Sequence, residues 1–183
     1  WTHDNFGEDL LINARNGAIY YWDKSDGLTT RAVEISTESG ASNTPTVAKQ
    51  ILVSDQDRHV IAFGANTLGL LIRFSSQESL LDWTPTATNT AGDLRLGGGS
   101  TFMQAVETKQ GILVFTDKTL HAMKFIGPPF TFGLQELSKN ITMMSSRSAT
   151  AVDDLVFWMG ILYLCWTNST VTMHCKRKSF LGF

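Results

Sequence analysis

Helix signals are the first thing this sequence lacks: no stretch of a dozen residues repeats apolar positions at the 3.6-residue period. Long apolar runs are missing too. The longest, residues 155–166, is about a dozen residues, short of the ~20 that a membrane-crossing helix needs, so no membrane span is expected. Cysteine is scarce: Cys165 and Cys175 are too few for a stapled scaffold, and a chain with 43% hydrophobic residues has core material without them, so both are expected as free thiols. An excess of either charge is also absent. Fifteen basic against 17 acidic residues give a formal charge of −2, which creates no sequence-wide attraction to nucleic acid or anionic lipid. The chain begins at Trp1 with no basic segment leading into an apolar stretch, and it reads as a piece of something longer.

What is present is strand material. Short apolar segments rich in Val, Ile, Phe, Tyr and Trp are bounded by Gly, Asp, Asn and Ser. Residues 9–22 read DLLINAR, then Asn16-Gly17, then AIYYW, which predicts a hairpin closed by a type I′ turn. Comparable units occupy residues 58–74 (HVIAFGA to LLIRF) and 111–125 (GILVFT, Asp117-Lys118, TLHAMKF), and a fourth starts at Asp153 (DDLVFWMG into ILYLCW). Their first strands begin near residues 9, 59, 111 and 154, the interval of blades in a β-propeller. Each hairpin alone would expose an apolar face, so the units must stack. The fold class expected is all-β, a propeller-like array of hairpins, with a β-sandwich as the alternative. Polar connections over residues 36–45 and 84–100 are expected as surface loops, and SQESLLD at 76–82 as a short helical turn with Ser76 as N-cap.

Reactive chemistry is hard to find along the chain. Gly97-Gly98-Gly99-Ser100 lacks the Gly-Lys-Ser/Thr of a phosphate-binding loop and leads into strand-like TFMQAV, so a turn is expected. His3, His59, His121 and His174 are spread one per region, and His174 beside Cys175 would need two further ligands to hold zinc. His59 and His121 fall in strands, where an imidazole is commonly a satisfied or solvent-facing side chain. Ser145-Ser146 has no adjacent base. Asp153-Asp154 reads as a hairpin turn, since neighbours on a strand point to opposite faces and spoil a two-carboxylate site. Asp55-Gln56-Asp57 lacks the further ligands of a calcium loop. The aromatics are expected in the core, and Lys176-Arg177-Lys178 as a solvated tail. No catalytic residue, cofactor or metal is expected.

Several segments carry a resemblance. DNFGEDLLINARNGAIYYWD, ASNTPTVAKQILVSDQDRHVIAFGA, LLIRFSSQESLLDWTPTATNTAGDLRLGGGS and AVETKQGILVFTDKTLHAMKFIGPPFTFG resemble virion structural proteins of tailed bacteriophages. RFSSQESLLDWTPT and FIGPPFTFG are the most specific runs, and the resemblance spans residues 1–160. It implies a non-enzymatic tail hub, nozzle or portal-vertex DNA-stabilisation protein located in the virion. Such a protein packs against copies of itself and neighbouring tail or portal proteins, close to packaged DNA without reading it. A phage-encoded carbohydrate-binding or glycan-hydrolysing propeller is the alternative.

The sequence departs from the family in two places. ANTLGL at 65–70 is shorter than the family's loop, a change that a surface loop tolerates. After Gly160 the family continues as FYxYxGR and then LPCTV, where this chain reads ILYLCWTNSTVTMHCKRKSFLGF. Codons compatible with that tail, read one base later, can spell EFYTYVGRTQQLPCTVKEKVFLD. Residues 1–160 are therefore expected as the virion domain, a fragment of a longer protein, and 161–183 as a frameshifted tail outside the family pattern.

Overall fold

A computed structural model describes residues 1–161, 163–168 and 173–177. The described residues form an all-β fold of four antiparallel four-stranded sheets, each ordered as its strands follow in sequence, consistent with a propeller-like array. The first sheet holds β1 (Thr2–Phe6), β2 (Asp9–Asn13), β3 (Ile19–Trp22) and β4 (Val33–Glu34). The second holds β5 (Gln50–Val53), β6 (Val60–Phe63), β7 (Leu71–Phe74) and β8 (Gly92–Arg95). The third holds β9 (Phe102–Thr108), β10 (Gly111–Thr116), β11 (Leu120–Gly127) and β12 (Thr131–Ser138). The fourth holds β13 (Ala149–Val152), β14 (Leu155–Met159), β15 (Tyr163–Asn168) and β16 (Met173–Arg177). The four hairpins expected from sequence are the inner strand pairs of these sheets: β2–β3, β6–β7, β10–β11 and β14–β15.

The chain divides into two compact units, one formed by Trp1–Leu96 with Ile126–Thr131, the other by Gly97–Phe125 with the chain from Phe132 onward. β15 and β16 continue the fourth sheet beyond Gly160. In the first unit, Leu11 and Ile19 of the first sheet meet Ile51, Val53, Val60 and Ala62 of the second, with Trp83 closing the cluster. Backbone groups of β5 bond to the edge strand beside it: Val53 N donates to Asp4 Oδ2 at 2.8 Å and Ile51 N to Thr2 Oγ1 at 3.3 Å. In the second unit, Leu113, Phe115, Leu120 and Ala122 of the third sheet pack on Val156, Trp158 and Cys165 of the fourth. Phe115 and Trp158 lie 5.4 Å apart. Gln104 clamps the backbone of Ala149 through both its amide oxygen and its amide nitrogen.

Several local expectations need correction. The β2–β3 connection is not a two-residue type I′ turn, because the ladder stops at Asn13↔Ile19 and leaves five residues outside it. Gly17 N donates to Ala14 O at 2.7 Å, and Asn16, not the pair, takes the positive φ, 61°. The reason is Asn13. Its buried amide nitrogen reaches the carbonyls of Ala14, Gly17, Ala18 and Ala48, holding the wider loop against the segment that leads into β5. Residues 76–82 form turns rather than a helix. Glu78 sits at φ 57°, a left-handed position that ends any helical turn, and Ser79 Oγ accepts from the backbone of Leu81 and Asp82. Cys165 and Cys175 are joined in a disulfide, since they stand directly opposite each other in β15 and β16. Lys176 and Arg177 belong to β16 rather than to a solvated tail, and Lys178 lies outside the described residues.

Candidate functional site

The first unit carries a cleft of about 370 Å³ whose walls come from four separate segments. Phe6 and Asp9 flank the β1–β2 turn, Tyr21 projects from β3, Glu38 follows the short 3-10 turn Ile35–Thr37, and Glu78 and Leu80 come from the segment after β7. Carboxylates over an aromatic and aliphatic floor suit a polar ligand with an apolar side, such as a sugar ring. Two of the three carboxylates already have partners. Asp9 accepts from Tyr21 Oη at 2.8 Å and from Lys24 N at 3.1 Å, which fixes the phenol and the start of the next turn. Glu78 accepts from Arg58 Nε at 3.0 Å, and the Arg58 guanidinium lies 5.1 Å from the centre of the Phe6 ring. Burial raises the Tyr21 pKa well above the usual tyrosine range, and hydrogen bonding to Asp9 and the charges of Asp9 and Asp23 push it further. The phenol therefore serves as a fixed hydrogen-bond donor and not as a base.

The second unit holds a polar cluster around the glycine-rich loop. Gly98 and Gly99 adopt positive φ, and the loop closes on a carboxylate of its own chain: Asp117 accepts from Ser100 N at 2.7 Å, Ser100 Oγ at 2.8 Å and Thr101 N at 3.2 Å. Burial pushes the Asp117 pKa up, but the donors of Ser100 and Thr101 together outweigh it and hold the group below the usual carboxylate value. The loop is thus a turn, as expected, although one wrapped around an internal anion. A Cβ on Gly99 would fall 2.5 Å from Thr116 Oγ1, so this loop needs glycine for space as well as for backbone. Beside it Thr116, Thr119 and His121 form a buried chain, with Thr119 Oγ1 2.7 Å from Thr116 Oγ1 and 3.4 Å from His121 Nδ1. Glu136 approaches His121 Nε2 at 3.9 Å.

The remaining expected positions stay apart. His59 is buried, with Nε2 at 3.0 Å from Thr90 Oγ1 and its ring edge-on to Phe74. Burial lowers the pKa of both His59 and His121; Asp57 and Glu78 oppose the shift at the former, Glu136 and the Gly97 carbonyl at the latter. His3 is exposed on β1, and His174 is exposed and stacked on Trp166. Asp153-Asp154 forms the turn joining β13 to β14, where Lys109 Nζ bonds Asp153 at 3.0 Å. Asp55 and Asp57 sit in the turn before β6, and Ser145 and Ser148 cap a turn of their own. Among the described residues, no three His, Cys, Asp or Glu side chains converge to hold a metal ion.

One face of the fourth sheet is open. Register places Val152 and Leu155 in one row, Thr150, Phe157, Trp166 and His174 in the next, and Met159, Leu164 and Lys176 in a third. Val152 is 57% exposed, Leu155 41% and Leu164 42%, so this face presents apolar side chains to solvent while the opposite face packs in the core. Residues that sequence reasoning passed over serve the scaffold. Besides Asn13, Arg73 lies buried in β7 and donates to the carbonyls of Asn43 at 2.7 Å and Trp83 at 2.9 Å. A charged residue inside LLIRF was the available signal for it. No protein-family model matches the chain. No curated protein matches it either.

Proposed function

We propose that this chain is a structural component of a phage virion, a tail hub, nozzle or portal-vertex protein that acts through oligomeric packing and not through catalysis. The open apolar face of the fourth sheet carries the mechanical part of this reading, because a stacked sheet that leaves Val152, Leu155 and Met159 in water is built to be covered. The resemblance of RFSSQESLLDWTPT and FIGPPFTFG carries the phage assignment, and both runs do structural work here. In the first, Ser75 Oγ accepts from Val60 N, Trp83 Nε1 donates to Leu80 O and Asp82 accepts from Ser42 and Asn89, which binds the segment to its sheet. The second forms the β11–β12 connection with a cis Pro128-Pro129 bond. Cryo-electron microscopy of the parent virion tests the assignment: density for this chain in a ring around the portal or tail axis is expected, and its absence from purified particles overturns it.

The cleft in the first unit favours a second reading, a carbohydrate-binding propeller, because Asp9, Glu38 and Glu78 surround Phe6 and Tyr21 there. Titration calorimetry of the chain with host surface glycans decides it. Saturable heat abolished by Asp9→Asn supports the glycan reading, and no heat from any glycan at millimolar concentration removes it.

A further inference from the structure

We infer that the cleft of the first unit takes an amino sugar, whose ring lies on the aromatic lining and whose protonated amine meets the carboxylates of Asp9 and Glu38. This rests on the glycan reading of the same cleft and names the class of sugar; it holds whether or not the chain is a virion component. The walls stand before any ligand arrives. Ser42 N donates to Leu81 O at 2.9 Å and Trp83 N to Ser42 O at 3.1 Å, which ties the segment after Glu38 to Leu80 and Leu81. Glu78 N donates to Arg58 O at 3.1 Å and Tyr21 Oη to Asp9 Oδ2 at 2.8 Å, so the other lining segments are fixed as well. A space of about 370 Å³ is at the small end of small-molecule sites and suits a terminal ring rather than an extended chain.

Charge selects the class of sugar. Asp9, Glu38 and Glu78 line the cleft, and among the described residues only Glu78 has a cationic partner, Arg58 at 3.0 Å. Asp9 is held by the Tyr21 hydroxyl and the Lys24 backbone N–H, neutral donors that fix its direction and leave its charge uncancelled. The Lys24 ammonium turns to Glu8 instead, at 2.9 Å. The excess of negative charge is felt at Tyr21, whose pKa is raised first by burial and then by Asp9 and Asp23. A neutral ring closing over this lining would strip water from two uncompensated carboxylates, and an acidic sugar would add like charge. A protonated amine supplies the missing counter-charge. The cleft already holds a cation of its own in this way: the Arg58 guanidinium bonds Glu78 while lying 5.1 Å from the centre of the Phe6 ring. Tyr21 with Asp9 repeats that pairing of aromatic ring and carboxylate, without a cation. Ser79 favours a sugar over a bare alkylamine. Its Oγ accepts from Leu81 N at 3.3 Å and Asp82 N at 3.1 Å and keeps its proton to donate to a ring hydroxyl.

The test uses the full chain and two probes of one backbone, the glucosamine trimer and its N-acetylated counterpart, in titration calorimetry. The amino trimer should bind about tenfold tighter at about 0.01 M salt, and the preference should fade near 1 M, where the screening length falls from about 30 Å to about 3 Å. Glu38→Gln should remove most of the preference and leave the urea-unfolding midpoint where it was, because the side chain is only half-buried. An acetylated trimer that binds as tightly as the amino one overturns the amino-sugar assignment and leaves the glycan reading standing. A preference that Glu38→Gln leaves intact puts the amine outside the cleft and overturns it too. Nα-acetyl-lysine amide binding as tightly as the amino trimer overturns the sugar in favour of a basic peptide. No heat from either trimer or from any other glycan removes the assignment and the glycan reading together.

Discussion

The second and third sheets differ from the first and fourth in how their central strands are buried, although all four share one meander topology. β6 and β10 are covered on both faces, and their sequences are unbroken apolar runs. β2 alternates buried with half-buried residues, and β14 alternates buried with exposed ones. Such alternation is the ordinary pattern of a sheet with one solvated face, and in β2 the outward Leu10 and Ile12 are at least half-covered. β14 combines the sequence of the first kind with the burial of the second. The lesson is that a strand's composition reports how many faces it is designed to bury, while its exposure reports how many it has buried so far.

The sharpest way to break this comparison is to hollow out a doubly covered strand. Phe115→Ala in β10 removes a fully buried ring packed on Trp158 and should cost about 3–5 kcal/mol, read as a lowered midpoint in urea unfolding. Arg73→Met in β7 keeps much of the volume but leaves the carbonyls of Asn43 and Trp83 without their donor, with an expected loss of about 2–4 kcal/mol by the same measurement.

Acid should act next. His59 and His121 have folded-state pKa values below the ordinary imidazole value, so the unfolded chain binds protons more readily. Stability is therefore full above about pH 7 and falls as the pH drops through about 6.5, well before carboxylates such as Asp117 begin to titrate. Unfolding midpoints at pH 7.5 and 5.5 should show the decline, and a His59→Gln/His121→Gln variant should flatten it. The smallest effect belongs to the open face. Leu155→Ala in a dilute chain should change stability by less than about 1 kcal/mol, and a loss comparable to that of Phe115→Ala would erase the distinction between covered and uncovered faces.

The inner hairpins were legible because their apolar runs and turn residues are local signals. The outer strands were not. THDNF of β1, VE of β4 and GDLR of β8 are polar or very short, and what makes them strands is the ladder offered by a neighbour. The helical turn expected at 76–82 failed because capping chemistry is ambiguous: a serine hydroxyl that can start a helix can equally tie a turn, as Ser79 does. The disulfide could not be read because ten residues of separation say nothing about register, and the charges of Lys176-Arg177-Lys178 suggest a tail where Lys176 and Arg177 end a strand. The cleft was invisible for a different reason, since its lining is drawn from segments as distant as Phe6 and Leu80. Arg73 and Asn13 show the same limit in miniature: one side chain organises carbonyls that only the fold brings near it.

The loop around Asp117 makes two stretches of this protein a single unit of inheritance. Gly98 and Gly99 tolerate no side chain because Thr116, Asp117 and Thr119 press against them, and Asp117 sits comfortably only because that bare backbone wraps it. A change at either place alone strands the other, so variants that survive should carry compensating substitutions in pairs.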